Sequence, residues 1–326
     1  MNTKTILITG SNSGIGLEAA RKLAAKPEWG IIVLGARSKA KAEAARDNIM
    51  ATTGRSADDF RNLIVDLVDP ASVQAAVQDV AQQGLRFDAV VLNAGGMPSA
   101  NGGELQKVPS GQSKLFAMNV GGHAALVNGL LEGGHFSEHA TVVFAASEAS
   151  RGIPMMMAKA AKLPDGYADV DAALDAIVTG DHVQKVDDMY EYGLVKLLGA
   201  VWMTELAHRH PSSLRAIAVS PGMTGGTNAM AEMPSLMKTM MTWVMLPMMS
   251  LFGMAHKVGN GADRYLQALE DESLVNGGFY ASPGSKLTGP LTLQSTTAQP
   301  LLNDEPFIRA VGRLMDRLPQ APVAAK

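Results

Sequence analysis

Tyr192 and Lys196 stand four residues apart in the run Tyr192-Gly193-Leu194-Val195-Lys196, a spacing that places a phenol and an ammonium on one face of a helix. An ammonium beside a phenol, whose free pKa is about 10, favours the phenolate and makes a proton donor and acceptor usable near neutrality. The pair takes its meaning from a second motif, Thr9-Gly10-Ser11-Asn12-Ser13-Gly14-Ile15-Gly16. This motif follows the apolar run Thr5-Ile6-Leu7-Ile8 and precedes helix-forming residues from Leu17 to Ala25. Its glycines therefore fall at a strand-to-helix turn. There the missing side chains let backbone approach a pyrophosphate, and the free N–H groups of the new helix favour its charge.

Apolar runs and helical patterns alternate beyond this unit. Strands are expected at Gly30 to Gly35, Asn62 to Asp66, Phe87 to Leu92, Ala140 to Ala145, Leu214 to Val219 and Gly278 to Ala281. Helices are expected over 39–51, 71–82 and 111–131, and around Tyr192. This is the βαβ pattern of a parallel sheet covered on both faces. We expect one doubly wound α/β domain over 1–326, with seven mainly parallel strands and a flexible tail at 319–326.

Composition narrows the function classes. Of 326 residues 47% are hydrophobic and 18% charged, enough to bury one large core, and the formal charge of −3 gives no nucleic-acid footprint. The chain has no cysteine, which excludes disulfides and thiolate metal sites and suits a reducing compartment. The first residues lead directly into a strand, with an apolar stretch too short for a secretory signal, and the expected location is cytoplasmic. His135 and His139 have i, i+4 spacing but follow two glycines and lack a third ligand, while His208 and His210 would diverge on a helix. No metal site is expected.

With these motifs in order, the chain resembles the short-chain dehydrogenase/reductase family over most of 1–222. The glycine turn resembles its cofactor loop, Asp66-Leu67 its adenine contact, and Asn93-Ala94-Gly95 its central-strand motif. Asn119, Ser147, Tyr192 and Lys196 fall in the order of its catalytic tetrad. Ser220-Pro221-Gly222, with Thr224 following, resembles the loop beside the nicotinamide. The resemblance implies that Ser147 holds a substrate oxygen, Tyr192 passes it a proton as hydride arrives, Lys196 binds the ribose and Asn119 holds a relay water.

Cofactor choice is read at the end of the second strand, where an acidic residue would bind both ribose hydroxyls and repel a 2′-phosphate. This chain has Arg37-Ser38 there, a charged donor fork and a hydroxyl that favour NADP(H) over NAD(H).

Two further features concern substrate and assembly. Ser147 and Tyr192 are 45 positions apart, a longer interval than is common in the family, which marks an insertion at 151–188. Here the chain is similar to the monomeric carbonyl reductases, and a monomer is expected. Ten of the 20 methionines lie between Met223 and Met254, in the stretch that forms the substrate lid of the family, here 223–258. Methionine lines adaptable apolar sites, so the expected substrate is a hydrophobic small molecule. Within this stretch 239–255 is uncharged but only 17 residues long and interrupted by Pro247, below the length of a spanning helix. Peripheral membrane contact through Trp243, Leu246 and Phe252 is the weaker alternative.

The expected activity is therefore NADP(H)-dependent interconversion of a carbonyl and a secondary alcohol. A sensor that binds NADP(H) without catalysis is the competing class. A looser likeness to the retinol dehydrogenase and protochlorophyllide reductase branches, carried by Gly277-Gly278-Phe279-Tyr280, adds light-driven pigment reduction as a third reading.

Overall fold

The computed structural model describes residues 3–97, 104–154, 157–183, 185–225, 255–294 and 298–318. Among these, β1 (Lys4–Thr9), β2 (Trp29–Ala36), β3 (Phe60–Ile64), β4 (Phe87–Leu92), β5 (Phe136–Ala145), β6 (Leu214–Val219), β7 (Phe279–Ala281) and β8 (Thr292–Leu293) form one sheet. Its order is β3-β2-β1-β4-β5-β6-β7-β8. Every neighbouring pair is parallel except β7 and β8, where Tyr280 faces Leu293. The expectation of seven strands is thus corrected to eight. The added strand is two exposed residues at an edge, too short to leave a hydrophobic pattern.

Side chains along each strand alternate between two packed layers. Leu7, Val33, Val90, Val142 and Ala216 face one layer, while Ile6, Ile8, Leu34, Val91, Val143 and Ile217 face the other. The first layer holds α3 (Pro70–Gln82), α4 (Gly122–Glu132), α6 (Asp188–Arg209) and α8 (Glu305–Arg317). The second holds α1 (Gly14–Ala24), α2 (Lys39–Thr53) and α7 (Val258–Glu270). The chain reverses winding between β1 and β4, which opens a crevice at the carboxyl ends of those strands.

The helix expected over 111–131 is not continuous. A short turn at Lys114–Phe116 runs into a π-helical turn, Ala117–Gly121, before α4 begins. Periodicity alone does not separate a π turn from an α turn, and such turns concentrate at functional sites. β3 also ends two residues before Asp66, which lies in the following loop.

Within the insertion, α5 (Val170–Thr179) begins at Asp169, whose side chain accepts from the Ala172 N–H at 2.8 Å, and ends at Gly180. It packs beside α8 through the ion pairs of Asp171 with Arg313 and of Asp175 with Arg317. α8 in turn buries Phe307, Ile308, Val311, Leu314 and Met315 in the layer that contains α6. The stretch 226–254, with most of the expected lid, and the tail 319–326 lie outside the described residues. No helix among the described residues is long and apolar enough to cross a membrane.

Candidate active site

The glycine turn is built as its spacing requires. Gly10 (φ 66°) and Gly14 (φ 56°) occupy the left-handed region, where a side chain would be strained. A Cβ on Gly16 would lie 2.5 Å from the Gly10 carbonyl, so only glycine lets α1 start this close to β1. The turn leaves the amino end of α1 open at Asn12, Ser13 and Ile15, with no side chain capping it. Ser11 has a different role. It is buried, and its N–H and Oγ both bond to the Gly35 carbonyl, at 3.1 and 3.2 Å, fastening the turn to β2.

Asn93, at the end of β4, donates through Nδ2 to the Thr9 carbonyl at 2.9 Å and accepts at Oδ1 from the Tyr265 hydroxyl at 3.3 Å. The Ala94 N–H donates to Thr9 Oγ1 at 3.0 Å. A Cβ on Gly95 would meet Asn119 Oδ1 at 2.4 Å and Lys196 Nζ at 3.4 Å, so the central-strand motif lies directly against two of the tetrad residues.

The π turn presents Asn119. Its side chain donates to the Gly96 carbonyl at 2.8 Å and the Leu115 carbonyl at 2.9 Å, and accepts from the Gly96 N–H at 3.1 Å. His123, one turn later, lies 3.2 Å from the Asn119 carbonyl through Nδ1 and 2.9 Å from Thr9 Oγ1 through Nε2. A carbonyl can only accept, so Nδ1 carries the proton and Nε2 accepts from the Thr9 hydroxyl. Burial drives the His123 pKa down to about 3, partly offset by the Asn119 carbonyl, and the ring is neutral at physiological pH.

Ser147 and Tyr192 are brought together despite their separation in the chain, and the Ser147 side chain lies near enough to the Tyr192 hydroxyl to pull its pKa down. Ser147 follows β5 and caps a short 3-10 turn, Glu148–Arg151, accepting from the Ala149 N–H at 3.2 Å. α6 can approach because Gly193 has no side chain: a Cβ there would lie 2.5 Å from the Ala149 carbonyl.

The charge balance corrects the expectation drawn from Tyr192 and Lys196 alone. Burial raises the Tyr192 pKa, the nearby Glu148 carboxylate raises it further, and the Ser147 side chain only partly opposes them. Lys196 is 3% exposed and donates to the Ala145 carbonyl at 2.8 Å, with its ammonium 5.5 Å from the Tyr192 ring centre. Burial brings its own pKa down to about 7. Desolvation dominates this balance, and Tyr192 stands as a protonated phenol.

The remaining sequence-identified residues sit around this centre. Gly222 is left-handed at φ 76°. His256 Nε2 donates to the Pro221 carbonyl at 2.6 Å, and Thr224 Oγ1 turns back to the Pro221 and Gly222 carbonyls at 3.2 and 3.1 Å. Asp66 Oδ1 accepts from the Val68 N–H at 3.3 Å, and Leu67 is buried in the core. Arg37 is exposed just past β2, beside Ser38, which precedes α2 without capping it. These last four mark the side of the crevice under β2 and β3, away from Tyr192. His123, Glu148, Tyr265 and Arg264 were not singled out in the sequence. Of these, His123 carried a signal, its position four residues after Asn119.

Residues 4–162 match the model of the family described as short chain dehydrogenase. The chloroplastic protochlorophyllide reductase of Chlamydomonas reinhardtii is 37% identical over 134 residues, 40% of this chain and 31% of that protein. Retinol dehydrogenase 14 of Mus musculus is 32% identical over 139 residues, 40% of each chain. The matched stretch thus spans less than half the length of these curated relatives. Among solved structures, a 3-ketoacyl-(acyl-carrier-protein) reductase from Brucella melitensis, complexed with NADH, superposes with a TM-score of 0.57 at 20% identity, over 85% of this chain and 95% of that one. That likeness is one of fold.

Proposed function

We propose that this chain, a short-chain dehydrogenase/reductase by family match and fold, transfers a hydride between NADP(H) and a carbonyl or secondary alcohol of a hydrophobic small molecule. The observation that carries the reading is the gathering of Ser147, Tyr192 and the buried Lys196 at the ends of the strands, with the Lys196 ammonium 5.5 Å from the Tyr192 ring centre. When bound, the nicotinamide supplies or accepts the hydride. The glycine turn and the open amino end of α1 suit its pyrophosphate, and the exposed Arg37 suits a 2′-phosphate.

In reduction, the Ser147 hydroxyl donates to the substrate oxygen and Tyr192 delivers the proton that the oxygen needs as it becomes a hydroxyl. The raised pKa of Tyr192 keeps that proton available at neutral pH. Lys196 then lies close enough to favour the transient phenolate. The apolar character of the substrate is supported by the small cluster of Ala149, Ile153 and Leu287, packed by Met189, Tyr192 and Met223 around the reacting phenol.

The test is oxidation of NADPH in a panel of hydrophobic ketones and aldehydes. Turnover with at least one member supports the reading. Tight NADPH binding without turnover across the panel favours the sensor instead, and turnover only of a porphyrin-type pigment under illumination favours the pigment reductase.

A further inference from the structure

Four buried polar residues from four separate elements close on one another beneath the proposed site: Glu148, Ser220, Arg264 and Ser282. Glu148 Oε1 accepts from the Ser282 N–H at 3.2 Å, the Ser282 hydroxyl at 2.8 Å and Arg264 Nη1 at 3.3 Å. Its Oε2 accepts from the Ser220 hydroxyl. Arg264 also donates from Nη1 to the Ser220 carbonyl at 2.9 Å, and from Nη2 to Ser282 Oγ and the Gly289 carbonyl, both at 2.8 Å. Ser220 Oγ accepts from the Gly222 N–H at 3.1 Å, which continues the network into the loop.

Glu148 and Arg264 are 4% and 5% exposed, so both charges have been taken out of water. A buried ion pair is a poor source of stability, because an apolar pair of similar size often holds a core as well or better. What an apolar pair lacks is direction. Glu148 directly follows Ser147 in the chain, and Ser220 directly precedes Pro221.

We propose that Glu148, held by Arg264, is a positioning residue that fixes the turn carrying Ser147 against the loop Ser220, Pro221 and Gly222. The inference rests on the hydride-transfer reading for its consequence, since it sets the separation between the substrate's hydrogen-bond donor and the loop expected beside the nicotinamide. The linkage itself stands on the geometry alone. The two walls come from neighbouring strands whose last backbone bond runs from the Ala146 N–H to the Val219 carbonyl at 3.0 Å, and beyond it Glu148, Arg264 and Ser220 are the side chains that tie the diverging turns together.

The test uses Glu148→Gln, Arg264→Lys and the double variant Glu148→Leu/Arg264→Met. Amide hydrogen exchange is read without any ligand, alongside melting temperature, kcat and KM. In Glu148→Gln the amides of Ser220, Gly222 and Met223 are expected to exchange at least about tenfold faster, with those of β1 and β4 unchanged. The kcat is expected to fall at least about tenfold with KM within about threefold, as a small displacement of reacting groups would produce. Arg264→Lys, which keeps the charge, should recover part of the kcat. The double variant should regain wild-type melting and keep both the fast exchange and the low kcat. Unchanged exchange in Glu148→Gln, or a double variant that regains stability, slow exchange and kcat together, overturns the proposal. Fast exchange in Glu148→Gln with no turnover even in the wild type supports the clamp and removes the hydride-transfer reading.

Discussion

His182 Nε2 lies 2.7 Å from Glu191 Oε2, with both side chains almost excluded from water, and Glu191 is the residue before Tyr192. His182 Nδ1 faces the Ala176 carbonyl at 3.1 Å, so both ring nitrogens point at acceptors and the ring is held as an imidazolium. Burial opposes that charge, but Glu191, Ala176 and Asp181 outweigh it and the His182 pKa is raised. A histidine raised in the folded state stabilises fully below its unfolded pKa, and the benefit is lost as pH rises through the folded value. His182→Gln should therefore lower the melting temperature by about 2–4 °C near pH 6 and by clearly less at pH 9. An equal loss at both pH values would remove the charge from the argument.

Tyr192→Phe should reduce kcat by at least about a hundredfold, the scale of a lost general acid, with NADPH affinity changed only a few-fold. Steady-state kinetics and a fluorescence titration of NADPH separate the two quantities. Retention of more than about a tenth of wild-type kcat would reassign the proton donor.

The strands beneath this site were legible because parallel strands buried on both faces read as largely apolar runs, and β4 and β6, each broken by a single charge at Asp88 or Arg215, begin and end where those runs do. The proposed tetrad could be picked out because its members are single residues at chain positions, needing no knowledge of contacts. The direction of the Tyr192 shift was not, since desolvation depends on what surrounds a group in space. Glu148 and Arg264 lie 116 positions apart and are joined only by the sheet, so no spacing rule pairs them. β8 is exposed and the π turn shares its apolar pattern with α4, which left both invisible to periodicity.

Arg37→Asp should shift cofactor preference from NADP(H) toward NAD(H), because it replaces a phosphate partner with an acceptor for ribose hydroxyls that repels phosphate. The ratio of kcat/KM for the two cofactors is the measurement. A ratio unchanged within about twofold would place the 2′-phosphate elsewhere or indicate that NAD(H) is the natural cofactor.

Lys196 retains its proton in the unfolded chain up to about pH 10.4, whereas burial brings its folded pKa down to about 7. With the folded value depressed, the wild type gains stability as pH rises from 7 toward 10 and loses it as pH falls through 7. Lys196→Met should consequently melt higher than the wild type at pH 7, with the gap narrowing toward pH 10, while turnover is lost. A variant that melts lower at pH 7 would show that the bond to the Ala145 carbonyl and the contacts with Phe144 and Tyr192 outweigh desolvation.

The monomer expected from the insertion can be restated in terms of α8. Asn128 Nδ2 donates to the Met315 carbonyl at 3.1 Å, Arg209 pairs with Asp316 at 2.6 Å, and Gly312 comes so close to α6 that a Cβ there would lie 2.7 Å from Glu205. A helix face covered in this way has little apolar area left for a partner. Light scattering should give a mass near 34.2 kDa. A stable dimer joined through α6 would show that α8 leaves room for one.

The same cover has a consequence in time. α8 starts at Glu305 and the helix it covers ends at Arg209, so the ribosome must add about a hundred residues before the two can meet. At roughly 5–20 residues per second, the apolar face of α6 waits about 5–20 s in the nascent chain without its lining. During that interval the chain displays a surface that chaperones hold and that other unfinished chains can join. The yield of folded protein should therefore depend on chaperone supply and synthesis rate more than its final stability would suggest.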